Sequence, residues 1–263
     1  MRRIRAADAT QPRRVPHGAT KPEACLAIHV LGISGSPRET GATSRLVQAA
    51  LLGATAVPGT TSEYVSLAGK AINGCTGCGQ CAKLGQCVIP DDMQPLYARL
   101  VAADAIILGT PVYYGSATAL LKAFMERVQA LGSAEKKLRL KVGGAIASGQ
   151  GRNGGQETTI QGIQLWMHIN DMLPVGTTSP SGQWGVTAQA GADPDDIGND
   201  EIVLKKFNRR MKSVESAWLY GRKIATVATL VQAGRAATGL DLPDRPYGQN
   251  LPDSYPEALY QLR

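Results

Sequence analysis

From Leu26 onward, short apolar runs alternate with longer apolar stripes. Leu26 to Ile33 is a near-continuous apolar run, the pattern of a strand covered on both faces of a parallel sheet. A Gly/Ser loop follows. A helix is then predicted over Ala42 to Ala54, and a second strand near Thr61 to Leu67. Asp91 and Asp92 are expected to cap a helix reaching about Ala102, where acids also complement the positive helix end. Ala105 to Leu108 reads as a third strand. Ser116 or Thr118 is expected to open a helix with Leu120, Leu121, Phe124, Met125, Val128 and Leu131 on its apolar face. Val142 to Ala147 reads as a fourth strand, 156–171 as a helix, and Leu173 to Thr177 as a short fifth strand. Beyond a Gly/Asp-rich loop over 178–200, a long helix carries Phe207, Met211, Val214, Trp218, Ile224 and Val227 at helical spacing.

Five strands alternating with helices predict an α/β fold: a flavodoxin-like, doubly wound, five-stranded parallel sheet in order 2-1-3-4-5. A Cys-rich insert, 73–92, follows strand 2. Residues 1–25 are polar and aperiodic and are expected to form a basic, disordered tail. The expected core domain spans 26–232, and 233–263 is a Pro-rich extension that could wrap a neighbouring subunit.

Charge changes this picture little. The formal net charge is +7, and residues 1–24 contribute six basic against two acidic side chains. The remaining chain is only mildly basic, so nucleic-acid binding is not expected. The acids at Asp193, Asp195, Asp196, Asp200 and Glu201 read as a solvated loop and helix start. No apolar run approaches the roughly 18–20 residues needed to span a bilayer, and Arg2-Arg3 is not followed by a signal-like stretch. No membrane partner is expected, and the default location is cytoplasmic.

Open α/β sheets bind ligands beyond the carboxyl ends of their strands, where strand order reverses. The loops after strands 1, 3 and 4 should therefore converge. The first, Ser34 to Ser44, offers hydroxyls on Ser34, Ser36, Thr43 and Ser44 and a guanidinium on Arg38, leading into a helix N-terminus. That combination suits a phosphate. The loop lacks both the Walker signature and G-x-G-x-x-G, so a mononucleotide fits better than a dinucleotide. The second loop, Thr110-Pro111-Val112-Tyr113-Tyr114-Gly115, brings two aromatic rings that could pack on a flavin. The third brings Ser148, Gly149, Gly154, Gly155 and Gln156, whose amides suit the polar rim of an isoalloxazine. FMN is the expected cofactor. No side chain is assigned a catalytic role, because the flavin N5 would do the chemistry.

Four of the five cysteines crowd into Cys75-x2-Cys78-x2-Cys81-x5-Cys87. Local clustering favours metal or cluster ligation over a disulfide scaffold. Three cysteines two apart can wrap a tight loop with inward sulfurs, and the fourth can close a [4Fe–4S] cubane. Thiols that bind nothing, and zinc, are the other readings; zinc prefers two separated knuckles. Cys25 is expected to be a small buried residue.

Gly32 through Ser44 resembles the phosphate loop of the NADPH-dependent FMN reductase superfamily. Thr110 to Arg127 resembles its second flavin loop and following helix. Gly154 to Thr158 resembles the third flavin loop of WrbA-type quinone oxidoreductases. The cysteine run, continuing into Val88 to Met93, resembles the iron–sulfur flavoproteins, in which a compact motif binds [4Fe–4S] beside FMN. The resemblance covers about 26–230 and implies an FMN-dependent oxidoreductase taking hydride from NAD(P)H. It also implies a homodimer or homotetramer. Electrons would pass to a quinone, flavin or other small acceptor. The alternatives are an electron carrier serving protein partners such as ferredoxin, and a flavin-bound redox sensor. His29 is expected inside the core and His168 to be an ordinary helix residue; His17 lies in the tail.

Overall fold

The computed structural model describes residues 26–133, 136–151, 153–177, 182–189 and 208–239. Cys25, His17, the acids between Asp193 and Glu201, Phe207, the N-terminal tail and the C-terminal extension beyond position 239 lie outside the described residues. So does the side chain of Met211.

The elements run β1 (Ile28–Ser34), α1 (Ala42–Thr55), β2 (Thr60–Ser66), α2 (Gln80–Leu84), α3 (Gln94–Ala102), β3 (Ala105–Pro111), α4 (Ala119–Arg127), α5 (Gln129–Gly132), β4 (Val142–Gly149), α6 (Gln156–Ile169), β5 (Leu173–Pro174), β6 (Val186–Gln189) and α7 (Asn208–Thr238). The sheet is parallel throughout, in order β2-β1-β3-β4-β5. Side chains alternate across it. Ile28, Val30, Ala105, Ile107, Val142 and Ile146 face α1 and α7, while Leu31, Ile33, Ile106, Leu108, Ala145 and Ala147 face α3, α4 and α6. Both faces are covered, which explains the uninterrupted apolar strands.

The two covering helices α1 and α7 cross in near backbone contact. A Cβ added at Gly53 would lie 1.8 Å from Trp218 O, and one at Gly221 would lie 1.7 Å from Ala50 O. Only glycine fits at either point, and that closeness presses α7 onto the sheet. The helix continues to Thr238, past position 232.

The fifth position of the sheet is filled by two segments. β5 pairs with Val142 and Gly143, and β6 resumes opposite Ile146. The sequence reading placed a strand through Thr177 and only a loop at 186–189; instead the strand breaks off at Pro174 and restarts at Val186. Tyr220, from α7, bridges the break. Its hydroxyl accepts from Ala145 N at 3.1 Å and donates to Val175 O, supplying hydrogen bonds that a continuous strand would have made.

Three further expectations change. The predicted helix of 116–131 divides at Val128 into α4 and α5. His29 is half-buried rather than in the core, and its ring meets Thr61 Oγ1 at 3.2 Å. Asp91 and Asp92 precede α3 but do not cap it: Met93 stands at its N-cap, no side chain caps it and its first turn holds no acid, because both carboxylates are engaged elsewhere. Asp92 Oδ2 accepts from Ala71 N at 2.7 Å. Asp91 accepts from Met93 N at 3.1 Å and also forms a buried, bidentate pair with Arg127, at 2.6 and 3.0 Å. Both partners are almost wholly buried, with side-chain exposures of 1% and 5%. This pair fixes the Cys-rich segment to the end of α4. No helix among the described residues is long and apolar enough to cross a membrane.

Two predictions follow from these buried polar groups. Tyr220→Phe leaves Ala145 N and Val175 O without their partner and lowers stability by about 1–3 kcal/mol, read from denaturant midpoints; an unchanged midpoint refutes the bridging role. Burial pushes the Asp91 carboxyl up, but the Arg127 guanidinium and the amides of Asn73 and Met93 outweigh it and hold the group at about 2, against an ordinary 3.8. The folded-state value is depressed, so the stabilisation is complete above the ordinary value and is lost as pH falls toward 2. Asp91→Asn is therefore less stable than the parent at pH 7 by about 2–3 kcal/mol. The gap closes between about pH 4 and pH 2; a gap independent of pH counts against the pair.

Candidate functional site

The turns after β1, β3 and β4 meet at the carboxyl edge of the sheet. Gly35 N donates to Gly109 O at 2.7 Å and Val112 N to Ser148 O at 2.7 Å, tying each loop base to its neighbour. Thr118 is the α4 N-cap, accepting from Leu121 N at 3.1 Å, and its hydroxyl donates to Gly35 O at 2.7 Å. Thr43 Oγ1 meets Ser148 Oγ at 2.7 Å, joining the first helix to the end of β4. The third loop lies against the second. Gly155, at φ 99°, sits so close that an added Cβ would be 3.0 Å from Gly115 Cα.

In the first loop Ser34, Ser36, Thr43 and Ser44 are all buried. Ser34 Oγ pairs with Ser44 Oγ at 3.1 Å, and Ser44 Oγ donates to Arg38 O at 3.3 Å. The start of α1 has Gly41 at its N-cap, no side-chain cap and no acid in its first turn. Its leading amides are thus the open donors, in the place where a helix attracts an anion. Arg38 is exposed beside them, and its guanidinium makes no ion pair among the described residues. The donor set matches a phosphate.

The second loop forms a tight hairpin, with Tyr113 N to Ser116 O at 2.9 Å and Ser116 N to Tyr113 O at 3.1 Å. Tyr114 (φ 48°) and Gly115 (φ 76°) are both left-handed, the arrangement of a two-residue type I′ turn. A non-glycine residue there carries strain. Tyr114 is fully exposed and Tyr113 partly so, leaving both rings available to cover a flat ligand. Thr110, Pro111 and Val112 form the base of this loop, and Thr110 Oγ1 accepts from Thr118 N at 3.2 Å. In the third loop Gln156 turns inward: its Nε2 donates to Gly151 O at 2.6 Å and its Oε1 accepts from Gly154 N at 2.9 Å. That amide braces the loop and covers Gly149, which is buried, leaving the backbone around Gly154 and Gly155 as the surface.

The four cysteines are free thiols that line one pocket together with Val88, Ile89, Glu126, Arg127 and Gln129. Gly77, Gly79 and Gly85 all adopt positive φ, which bends the segment around it. Gly77 N donates to Cys75 Sγ at 3.4 Å and Cys81 Sγ meets Ser133 Oγ at 3.4 Å. Burial pushes the Cys87 thiol up, but the Ile89 amide and the Arg127 guanidinium prevail and lower it. Among the described residues, no three Cys, His, Asp or Glu side chains gather around a single ion. Each thiolate of a four-iron cluster binds its own iron, so its sulfurs stand apart around a shared volume. Four thiols around one pocket, with an amide on sulfur, fit that group better than one zinc ion.

Sequence reasoning missed several residues that build these sites. Thr118 was considered only as a helix start, Gln94 and Glu126 not at all, and Asp91 only as a cap. Gln94 Nε2 donates to Cys87 O at 2.9 Å and Ile89 O at 2.7 Å, and Glu126 Oε2 accepts from Cys75 N at 3.3 Å. The one available signal was Arg127, a charge three residues after Phe124 on the apolar stripe of α4.

Residues 28–185 match the family described as NADPH-dependent FMN reductase. An iron–sulfur flavoprotein of Methanocaldococcus jannaschii is 44% identical over 205 residues, 78% of this chain and 100% of the relative. One from Methanosarcina thermophila is 41% identical over 175 residues, covering 66% and 90%. Among solved structures, the flavodoxin, WrbA-like protein from Agrobacterium tumefaciens superposes with a TM-score of 0.52 at 22% identity, over 78% of this chain and 99% of that one, a likeness of fold. The sheet order, the converging loops and these matches agree: the chain belongs to the NADPH-dependent FMN reductase family and is a homologue of the iron–sulfur flavoproteins.

Proposed function

We propose that this chain is an FMN-dependent NAD(P)H oxidoreductase that passes electrons to a quinone, a flavin or another small acceptor. The observation that carries the proposal is the convergence of the loops after β1, β3 and β4 around the uncapped start of α1. The first amides of α1, steadied by Ser36 and Thr43, hold the phosphate, with Arg38 adding a charge from the exposed side. Ser34 and Ser44 keep that loop in shape. Tyr113 and Tyr114 cover the ring, and the backbone around Gly154 and Gly155 meets its polar rim, with Gly149 buried behind it. FMN, when bound, supplies hydride acceptance at N5 and release of electrons singly or in pairs. The side chains position and polarise; none transfers a proton.

The same reading assigns Cys75, Cys78, Cys81 and Cys87 to a [4Fe–4S] cluster. Such a group supplies single-electron transfer. The shared pocket favours a second function, an iron–sulfur flavoprotein electron carrier between protein partners such as ferredoxin, with no dedicated small substrate.

Two measurements test this. Rapid mixing of the FMN-loaded protein with NADPH or NADH is expected to bleach the flavin directly. Bleaching by neither, with fast reduction by ferredoxin, replaces the enzyme with the carrier. Arg38→Ala is expected to weaken FMN retention roughly tenfold by equilibrium dialysis, the effect of one charge-assisted bond. Unchanged affinity removes Arg38 from the phosphate site.

A further inference from the structure

Arg127 sits in an unusual place. Arginine is almost never fully buried unless paired, and this residue is only 2% exposed beneath the Cys segment. Besides its two bonds to Asp91, Nη1 donates to Asn73 O at 3.0 Å and Nη2 to Ile89 O at 3.2 Å. Asn73 stands just before Cys75, and Ile89 just after Cys87. One planar group therefore grips the chain on both sides of the cysteine motif. The same guanidinium forms part of the lining of the pocket the four cysteines share.

Fold stability is a poor account of this arrangement. A buried ion pair roughly breaks even against well-packed apolar groups of the same volume. Here Arg127 Nε is also buried without a partner, which adds cost. A methionine at this position would simply continue the apolar stripe of Leu121 and Phe124. What the guanidinium adds is geometry and a fixed positive charge, both directed at the cysteine segment. The adjacent residue reinforces the grip, since Glu126 takes the Cys75 amide.

We infer that Arg127 is the positioning residue of the cysteine site, clasping both ends of the 75–87 loop and setting a cation in the lining of the pocket that the four thiols share. The clasp stands on the geometry alone; the effect of the charge rests on the proposed iron–sulfur cluster. A cation in the lining of that pocket favours the reduced, more negative state of a cluster and so raises its potential.

Hydrogen exchange of the iron-free protein, together with an EPR-monitored reductive titration after anaerobic reconstitution with iron and sulfide, separates the two roles. The full chain is compared with Arg127→Lys and Arg127→Met, with cooperative thermal unfolding as the check on folding. Lysine keeps the charge and loses the bidentate grip. The amides of 73–91 then exchange roughly tenfold faster or more, while the cluster potential stays near that of the parent. Methionine loses both, so exchange rises as much and the potential falls. An Arg127→Met protein with parental protection and parental potential overturns the inference. If Arg127→Met does not fold, Arg127→Lys decides, and parental protection there overturns the clasp. If the parent itself takes up no iron, the cluster reading falls and the charge effect with it, while exchange in the iron-free proteins still confirms or overturns the clasp.

Discussion

Parallel strands all point their carboxyl ends at the same edge, and this single constraint places the first of the two sites. Every β-to-α turn must leave from that edge. β1 and β3 are neighbours, but α1 packs on one face of the sheet and α4 on the other. The chain therefore diverges above them and leaves a crevice, and β4 brings a third turn alongside. Covering both faces makes the support rigid. It also forces the apolar strands and the glycine-only crossing of α1 and α7, which presses a 31-residue helix against the sheet.

The second site is attached to the first through α4. Its N-cap, Thr118, bonds to the first loop at Gly35 O, and its last two residues, Glu126 and Arg127, hold the cysteine segment. The helix has nine residues, so the two ends stand about 13 Å apart. A helix of that length behaves as a stiff strut. The position of the cysteine pocket relative to the three loops is thus fixed by one short element rather than by the irregular chain between β2 and α3. The stretch around Gly77, Gly79 and Gly85, left-handed at each of these glycines, has only the short α2 as regular structure, so it depends on this outside support.

The sequence made the repeating architecture legible because each strand had to be apolar on both faces and each helix on one. Strand order, the three loops and the four cysteines could all be read from those patterns and from local residue types. What escaped depended on partners far apart in the chain. Asp91 looked like a cap because its neighbours begin a helix; its main partner, Arg127, is 36 residues away. Tyr220 looked like one more residue on a long helix, and nothing local reveals that its hydroxyl completes a sheet 75 residues earlier. The split of the fifth strand was hidden for the same reason, since Val186 to Gln189 is too short to announce itself beside a Gly-rich loop. His29 sits in an apolar run, but its strand lies next to the polar strand β2, and the ring reaches out to Thr61.

The hydroxyls of the first loop show how the candidate site keeps its shape. Four buried polar side chains would be costly if each waited for a ligand. Instead Ser34 pairs with Ser44, and Thr43 with Ser148. Satisfied in this way, they hold the backbone in place and leave the donor role to the first amides of α1, which cannot be satisfied within the helix. Those amides are fixed by the helix itself, so an anion that meets them causes little reorganisation, and little ordering entropy is lost. Gln156 does the same for the third loop by spending its amide on Gly151 and Gly154. In both loops the side chains that sequence alone would assign to the ligand act one step back, and the contact surface passes to the main chain. Substituting such side chains should change the shape and readiness of the cradle more than its chemistry, whereas the exposed Arg38 and Tyr114 are free to act on the ligand directly.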